Sequence, residues 1–169
     1  MSDVIKVFIE NPGGTNIKNI HDEKTLEYKG SIQVARPYPF PYGFILGTTS
    51  EDGGNLDCYV LTHRVLSRSS VVDCLVLGLM EQFEDGKSDH NILATPTGEV
   101  MTLTESMKSE LRVFVAEVFS KTEVCPSSEE MQDFLYKKAK RLKSKKINAG
   151  KFLGIVPARR LIKQCSDKT

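Results

Sequence analysis

The sequence predicts an α+β domain, a small β-barrel with helices packed on its outside. Up to Pro96 the apolar residues fall in short runs rich in valine, isoleucine and aromatics, separated by Gly, Pro, Asn and Asp. After Gly98 the apolar spacing changes to a helical period. The size fits as well: 169 residues, 40% apolar and 27% charged, make one soluble domain with a full core.

Taken in order, Val4 to Ile9 alternates as a first strand and is ended by Pro12-Gly13-Gly14. Ile17 to Ile20 is a short extended piece followed by the polar turn His21 to Thr25, and Leu26 to Val34 is a strand interrupted at Gly30. Phe44 to Thr48 and Cys58 to Leu61 read as strands flanking an acidic turn. Val71 to Met80, the most hydrophobic run, reads as a buried strand, and Ile92 to Ala94 as a further short one. A first helix carries Met107, Leu111, Phe114, Val115 and Val118 on one face, with Thr102 and Glu105 as its capping box. A second starts at Ser127 with Glu130 as box partner, buries Met131, Phe134, Leu135 and Leu142, and is stopped by Gly150. Phe152 to Val156 forms a last strand, and Pro157 opens a short basic helix from Ala158 to Gln164.

The stretch with chemical character is Tyr38 to Asp57. Its first half is rigid with proline; its second places Glu51, Asp52 and Asp57 around Gly53, Gly54 and Asn55. Carboxylates held close in a tight loop repel one another unless a hard cation such as Mg²⁺ lies between them. A solvated Asp-Gly hairpin turn is the competing reading. An EF-hand loop is excluded, because Gly54 and Leu56 stand where that loop needs oxygens. Cys58, Cys74, Cys125 and Cys165 form no C-x-x-C pair, so neither a zinc site nor a redox motif is indicated. His21, His63 and His90 read as surface or capping residues. No apolar run reaches membrane-spanning length and Met1 to Lys6 is no signal peptide, so a cytoplasmic location is expected.

Several segments, in order, resemble the soluble family I inorganic pyrophosphatases. They are Ile9-Glu10-Asn11-Pro12 with Gly14 to Lys18, then Tyr38-Pro39 and Tyr42 to Ile45, then Asp52 to Asp57, then Gly78 to Pro96. The resemblance implies a five-stranded, OB-like barrel and Mg²⁺-dependent hydrolysis of inorganic diphosphate, with Mn²⁺ as an alternative metal. By the same resemblance Asp52, Asp57 and Asp89 are the inner metal ligands and Glu10 and Glu84 the outer ones, with Asp85 matching a further acid. Lys18 and Tyr42 match phosphate-binding residues. The chain departs from the pattern at the D-G-D-P-x-D signature, which reads Asp52-Gly53-Gly54-Asn55-Leu56-Asp57. The missing middle aspartate is the residue that in the family accepts the proton of the attacking water. Glu51 lies three residues away along the turn and is the candidate to replace it, while Gly54→Asp is expected to raise activity. Further departures are Gly30 for an arginine, Ile20 for a glutamate, Asn91 for a lysine and Phe119-Ser120 for a tyrosine-lysine pair. Lys121 follows one position late, and Arg36, Lys29 and Lys87 are further bases that could supply substitute charge.

Tyr136 to Lys151 holds eight bases and no acid, all but Lys151 within a basic helical insertion at about 127–149 of the single 1–169 domain. It is expected to present an exposed positive face, separate from the metal site, for polyanions or RNA through Lys137 to Lys146. A solvated helix packing its apolar stripe on the barrel is the plainer alternative. Three functions stay open: a divergent pyrophosphatase, expected as a homo-oligomer; a pseudoenzyme keeping the barrel as a metal-, phosphate- or protein-binding module; and a nucleic-acid binder. The last lacks the exposed aromatics of a stacking platform.

Overall fold

The computed structural model describes residues 4–167. In chain order the strands are Val4–Asn11 (β1), Ile17–His21 (β2), Tyr28–Val34 (β3), Tyr42–Ile45 (β4), Leu56–Val60 (β5), Val71–Glu84 (β6), Lys87–Ser88 (β7), Asn91–Pro96 (β8), Thr122–Val124 (β9) and Ile147–Leu153 (β10). The helices are Glu105–Glu117 (α1), Glu129–Ser144 (α2) and Ile155–Cys165 (α3).

Strand β1 pairs antiparallel with β4 on one side and β6 on the other; β4 pairs with β5, and β6 with β8. The parallel pairing of β5 with β8 closes the ring. The expected five-stranded barrel is therefore present, with no free strand edge inside the ring. A separate small sheet, β2-β3-β9, stands beside it.

Alternation sorts the side chains into two apolar clusters. Cys58, Val60, Ile92, Ala94 and Leu79 point into one, with Val7, Ile9 and Ile45. Their neighbours Tyr59, Leu61, Leu93 and Met80 point into the other, between the barrel wall and helices α1 and α2. Burial on both faces explains why β8 is buried at every position and why these strands read as near-continuous apolar runs. Leu111, Phe114, Val115 and Leu135 supply the helical side of the outer cluster, and burying each such side chain is worth about 1.5–3 kcal/mol.

Several boundaries differ from expectation. Helix α1 is capped by Thr104, whose side chain accepts from the Met107 N–H, not by Thr102. Helix α2 begins after Ser128 without a side-chain cap, and it ends at Ser144, before Gly150. It ends there because Ile147, Asn148 and Ala149 pair with Glu84, Phe83 and Gln82, so ladder hydrogen bonds replace helical ones. The buried stripe of α2 is Leu135, Ala139 and Leu142, while Phe134 is 43% exposed. Strand β10 consequently starts before Phe152, and Val156 and Pro157 lie in the first turn of α3, where proline's missing N–H costs no helical bond. Strand β6 runs past Met80 through Glu84 and turns at Asp85-Gly86 into β7. The short strand β9 was not anticipated.

Candidate active site

The turn between β4 and β5 is held by its own polar groups. The Ser50 N–H donates to the Gly54 carbonyl at 2.7 Å, the Gly53 N–H to the Ser50 carbonyl at 3.0 Å, and Asp52 Oδ1 accepts from the Ser50 hydroxyl and from the Gly54 N–H. This brings Asp52 beside a cleft of about 250 Å³, whose lining includes the carboxylates of Glu10, Glu23, Asp52, Asp57, Glu84 and Asp89. Each comes from a different place in the chain. Glu10, Asp57 and Glu84 stand on strands β1, β5 and β6; Asp52 stands on the turn, Asp89 just before β8, and Glu23 on the turn between β2 and β3. All five acids implied by the resemblance thus meet in one cleft, together with Lys18 and Tyr42.

Lys18 Nζ lies 5.5 Å from the centroid of the Tyr42 ring and 5.8 Å from that of Phe119, so two aromatic faces hold the ammonium at the cleft wall. Phe119, which lacks the hydroxyl of the expected tyrosine, serves as a seat for Lys18. Burial, then the negative charge of Asp57, pushes the Tyr42 hydroxyl well above its ordinary value and keeps it a donor. Glu10 is fixed by the His21 backbone N–H at 3.2 Å and faces His21 Nδ1 at 3.3 Å. Arg68 can only donate to His21 Nε2, at 3.1 Å, which leaves Nδ1 protonated to donate to Glu10. His21 is accordingly buried, not the surface residue the sequence suggested. Asp89 is positioned by a relay in which Asn91 Nδ2 donates to Gln82 Oε1 and Gln82 Nε2 donates to Asp89 Oδ2.

The electrostatics are those of crowded acids. Burial and Asp89 push Asp57 well above the carboxylate range, and burial and Glu84 raise Asp89 to about 7. Burial, then Glu10, raises Glu23 to about 7. Glu84 moves the other way: against the opposing cost of burial, hydrogen bonds with Asp89 and Lys145 hold it below its ordinary value, and Lys145 forms an ion pair with it. The donor set is all carboxylate oxygen, ranging from buried Glu10 to exposed Asp52 and mutually repelling, which is what a hard divalent cation relieves. Among the described residues no three such side chains form a ready-made metal cage, so closing on a cation requires side-chain rotation.

Other candidates lie elsewhere. Glu51 is exposed and lines a neighbouring recess of about 280 Å³, which shares Asp52, Asp57 and Asp89 with the cleft but not Gly54. Glu23 stands against Gly54: a Cβ added there would lie 2.5 Å from Glu23 Oε2, so this carboxylate fills the space a side chain at 54 would use. Asp22 fixes the turn that presents Glu23 by accepting from the Lys24 and Thr25 N–H groups at 2.9 Å each. The only sequence signal for Glu23 was an acid in a polar turn. Asp85 accepts from the Lys146 N–H at 2.9 Å and lies outside the cleft. Lys121 and Lys87 are exposed and outside it, Arg36 pairs with Glu117, and Lys29 pairs with Glu27 at 3.8 Å. The cleft's further cations are Lys138 and Lys145, so the basic helix is not separate from the acids. It replaces the expected arginine sterically too, since Leu135 Cδ1 lies 2.5 Å from where a Cβ of residue 30 would be.

Residues 7–169 match the family model for inorganic pyrophosphatase. A Nanoarchaeum equitans protein named inorganic pyrophosphatase is 27% identical over 170 residues, covering 96% of each chain. One of that name from Sulfolobus acidocaldarius is 38% identical over 100 residues, a match that spans 56% of either chain. In fold, the inorganic pyrophosphatase of Thermus thermophilus superposes with a TM-score of 0.74 at 22% identity, covering 96% of this chain and 89% of that one. With a closed barrel, a shared acidic cleft and a family match over nearly its whole length, the chain belongs to the inorganic pyrophosphatase family.

Proposed function

We propose that this protein hydrolyses inorganic diphosphate to two phosphates, using Mg²⁺, or Mn²⁺ in its place, held by Asp52, Asp57 and Asp89 with Glu84 and Glu10 as outer ligands. The observation that carries this reading is the meeting of these acids with Lys18 and Tyr42 in one cleft, although they stand on separate elements. The relatives' shared name supplies the reaction. A divalent cation there would neutralise phosphate oxygens and acidify the attacking water. Lys18 Nζ and the Tyr42 hydroxyl donate to the phosphate oxygens. Glu23 Oε2, standing over Gly54, takes the proton of the attacking water, the role first assigned to Glu51. Asn91 and Gln82 hold Asp89 in orientation. The protein acts as a cytoplasmic homo-oligomer in this reading, and no described helix is long and apolar enough to cross a membrane.

The test is steady-state phosphate release from diphosphate with Mg²⁺, beside calorimetric Mn²⁺ titration of wild type and Asp57→Asn. Release that is lost in Asp57→Asn together with Mn²⁺ uptake supports the reading. The pseudoenzyme alternative is favoured by one observation, that Gly54, Gly30 and Asn91 stand where the resemblance expects an aspartate, an arginine and a lysine. Normal Mn²⁺ uptake without any phosphate release would establish it instead.

A further inference from the structure

Helix α2 brings a cation to the cleft that no pairing within the protein accounts for. Leu135 packs into the space above Gly30 and is fully buried, and Lys138 follows it by three residues, so the same contact aims one turn of the helix at the acids. Lys138 is half-buried and lines the cleft with Lys18. Among the described residues no carboxylate lies within ion-pair distance of its Nζ, whereas Lys137 pairs with Asp133 at 3.0 Å and Lys145 pairs with Glu84. Burial, then the charges of Lys18 and Arg141, lowers the Lys138 ammonium to about 8, which leaves it mostly charged at neutral pH. Glu10 offsets the Lys138 charge only from beyond ion-pair distance, so the N–H groups of this ammonium have no carboxylate of the described residues bound to them and are open to a ligand's oxygens. An anion with two separated charged ends, one met by Lys18 and the other by Lys138, satisfies both.

We propose that Lys138 is a diphosphate-binding residue, and that α2 is thereby part of the active-site wall rather than a peripheral basic helix. This rests on the diphosphatase reading and deepens it. The charge arrives on a different element from Gly30 and Asn91, the positions where bases were expected and are absent. Exposed Lys140 on the same helix, outside the cleft, is the control.

The experiment measures binding of methylenediphosphonate, which is not hydrolysed, by calorimetry in Mg²⁺ for wild type, Lys138→Met, Lys138→Arg and Lys140→Met. It is paired with steady-state KM and kcat for diphosphate and with Mn²⁺ titration in the absence of any phosphate ligand. A lost charged hydrogen bond predicts binding weakened about 10- to 100-fold in Lys138→Met with a matching rise in KM. Lys138→Arg should recover most of it, and Lys140→Met should stay within about twofold of wild type. Mn²⁺ uptake should be unchanged throughout. Equal diphosphonate affinity in wild type and Lys138→Met overturns the proposal, as does a loss of Mn²⁺ uptake that accounts for the weakening, or a wild type that does not bind the diphosphonate. Tight diphosphonate binding that depends on Lys138, without phosphate release, would sink the hydrolase reading and leave the binding role standing.

Discussion

Replacing Glu23 by glutamine removes one proton acceptor while keeping the side chain's volume. Because this carboxylate occupies the space above Gly54, and because a positioned base is worth about 10²- to 10⁴-fold, Glu23→Gln should lower kcat by at least about 100-fold with KM near wild type. Gly54→Asp sharpens the test. The backbone at Gly54 lies outside the left-handed region, so aspartate is not strained there, but its Cβ would lie 2.5 Å from Glu23 Oε2 and 3.5 Å from Asp52 Oδ1. The Glu23 end can swing aside, so the steric cost is small. The electrostatic cost is larger, since two carboxylates about 4 Å apart repel by about 4 kcal/mol at an effective dielectric of 20. Gly54→Asp in the wild type should therefore bring little gain, in contrast to what the sequence alone suggested. Glu23→Ala with Gly54→Asp should recover much of what Glu23→Ala loses, because one acceptor then has the space to itself. Steady-state phosphate release with Mg²⁺, on variants shown to be folded and to take up Mn²⁺ normally, is the assay. Wild-type kcat in Glu23→Gln, or a gain of about 10-fold from Gly54→Asp alone, would refute the reasoning.

Three further outcomes are expected. Gly30→Ala places a methyl 2.5 Å from Leu135 Cδ1 at a φ of +132°, so it should lower stability by about 1–3 kcal/mol, read by thermal or urea unfolding, and weaken diphosphonate binding as α2 shifts; an unchanged midpoint would contradict the packing argument. In EDTA, the folded protein holds protons on Glu23 and Asp89 to about pH 7, above the ordinary carboxylate values of 4.5 and 3.8, so their contribution to stability is full at low pH and lost as pH rises toward and through 7; melting curves from about pH 5 to about pH 8 should show a fall that is shallower in Glu23→Gln, and an identical pH profile in that variant would count against it. Exposed Lys140, Arg141, Lys143 and Lys146 should give weak heparin retention that vanishes steeply with salt and on fourfold neutralisation to glutamine; salt-independent retention would remove the polyanion role.

The barrel was legible because strands buried on both faces are continuous apolar runs, and Met107, Leu111 and Phe114 repeat at the period of a helix. The acids were legible as a family order, since Glu10, Asp52, Asp57, Glu84 and Asp89 are matched one by one along the chain. What local pattern could not carry was tertiary replacement. Glu23 reaches Gly54 only after the turn following β2 folds over the turn following β4, and nothing in the intervening residues encodes that approach. The lysine-rich run looked like one solvated face because charge density says nothing of direction; packing of Leu135, Ala139 and Leu142 turns Lys138 and Lys145 inward and leaves Lys140 and Lys143 outside. Thr102 and Thr104 are chemically equal caps, and the start of the helix chose between them.

Strand β6 has 14 residues, and its two halves do different work. The first half closes the barrel against β1, while the second continues past it, with β10 on one side and first β8 and then β7 on the other, and carries Glu84 to its end. Glu84 is thereby anchored by ladders on both sides, and Glu10 and Asp57 likewise belong to paired strands. Asp52, one of the proposed inner ligands, hangs on a turn whose bonds are mostly internal to it. If the cleft binds a cation as proposed, capture is an asymmetric event, a hinged jaw closing on a fixed anvil, with the ordering entropy falling on residues 50–55. Amide hydrogen exchange should slow in that turn on loading with Mn²⁺, while the already protected amides of β6 stay as they were.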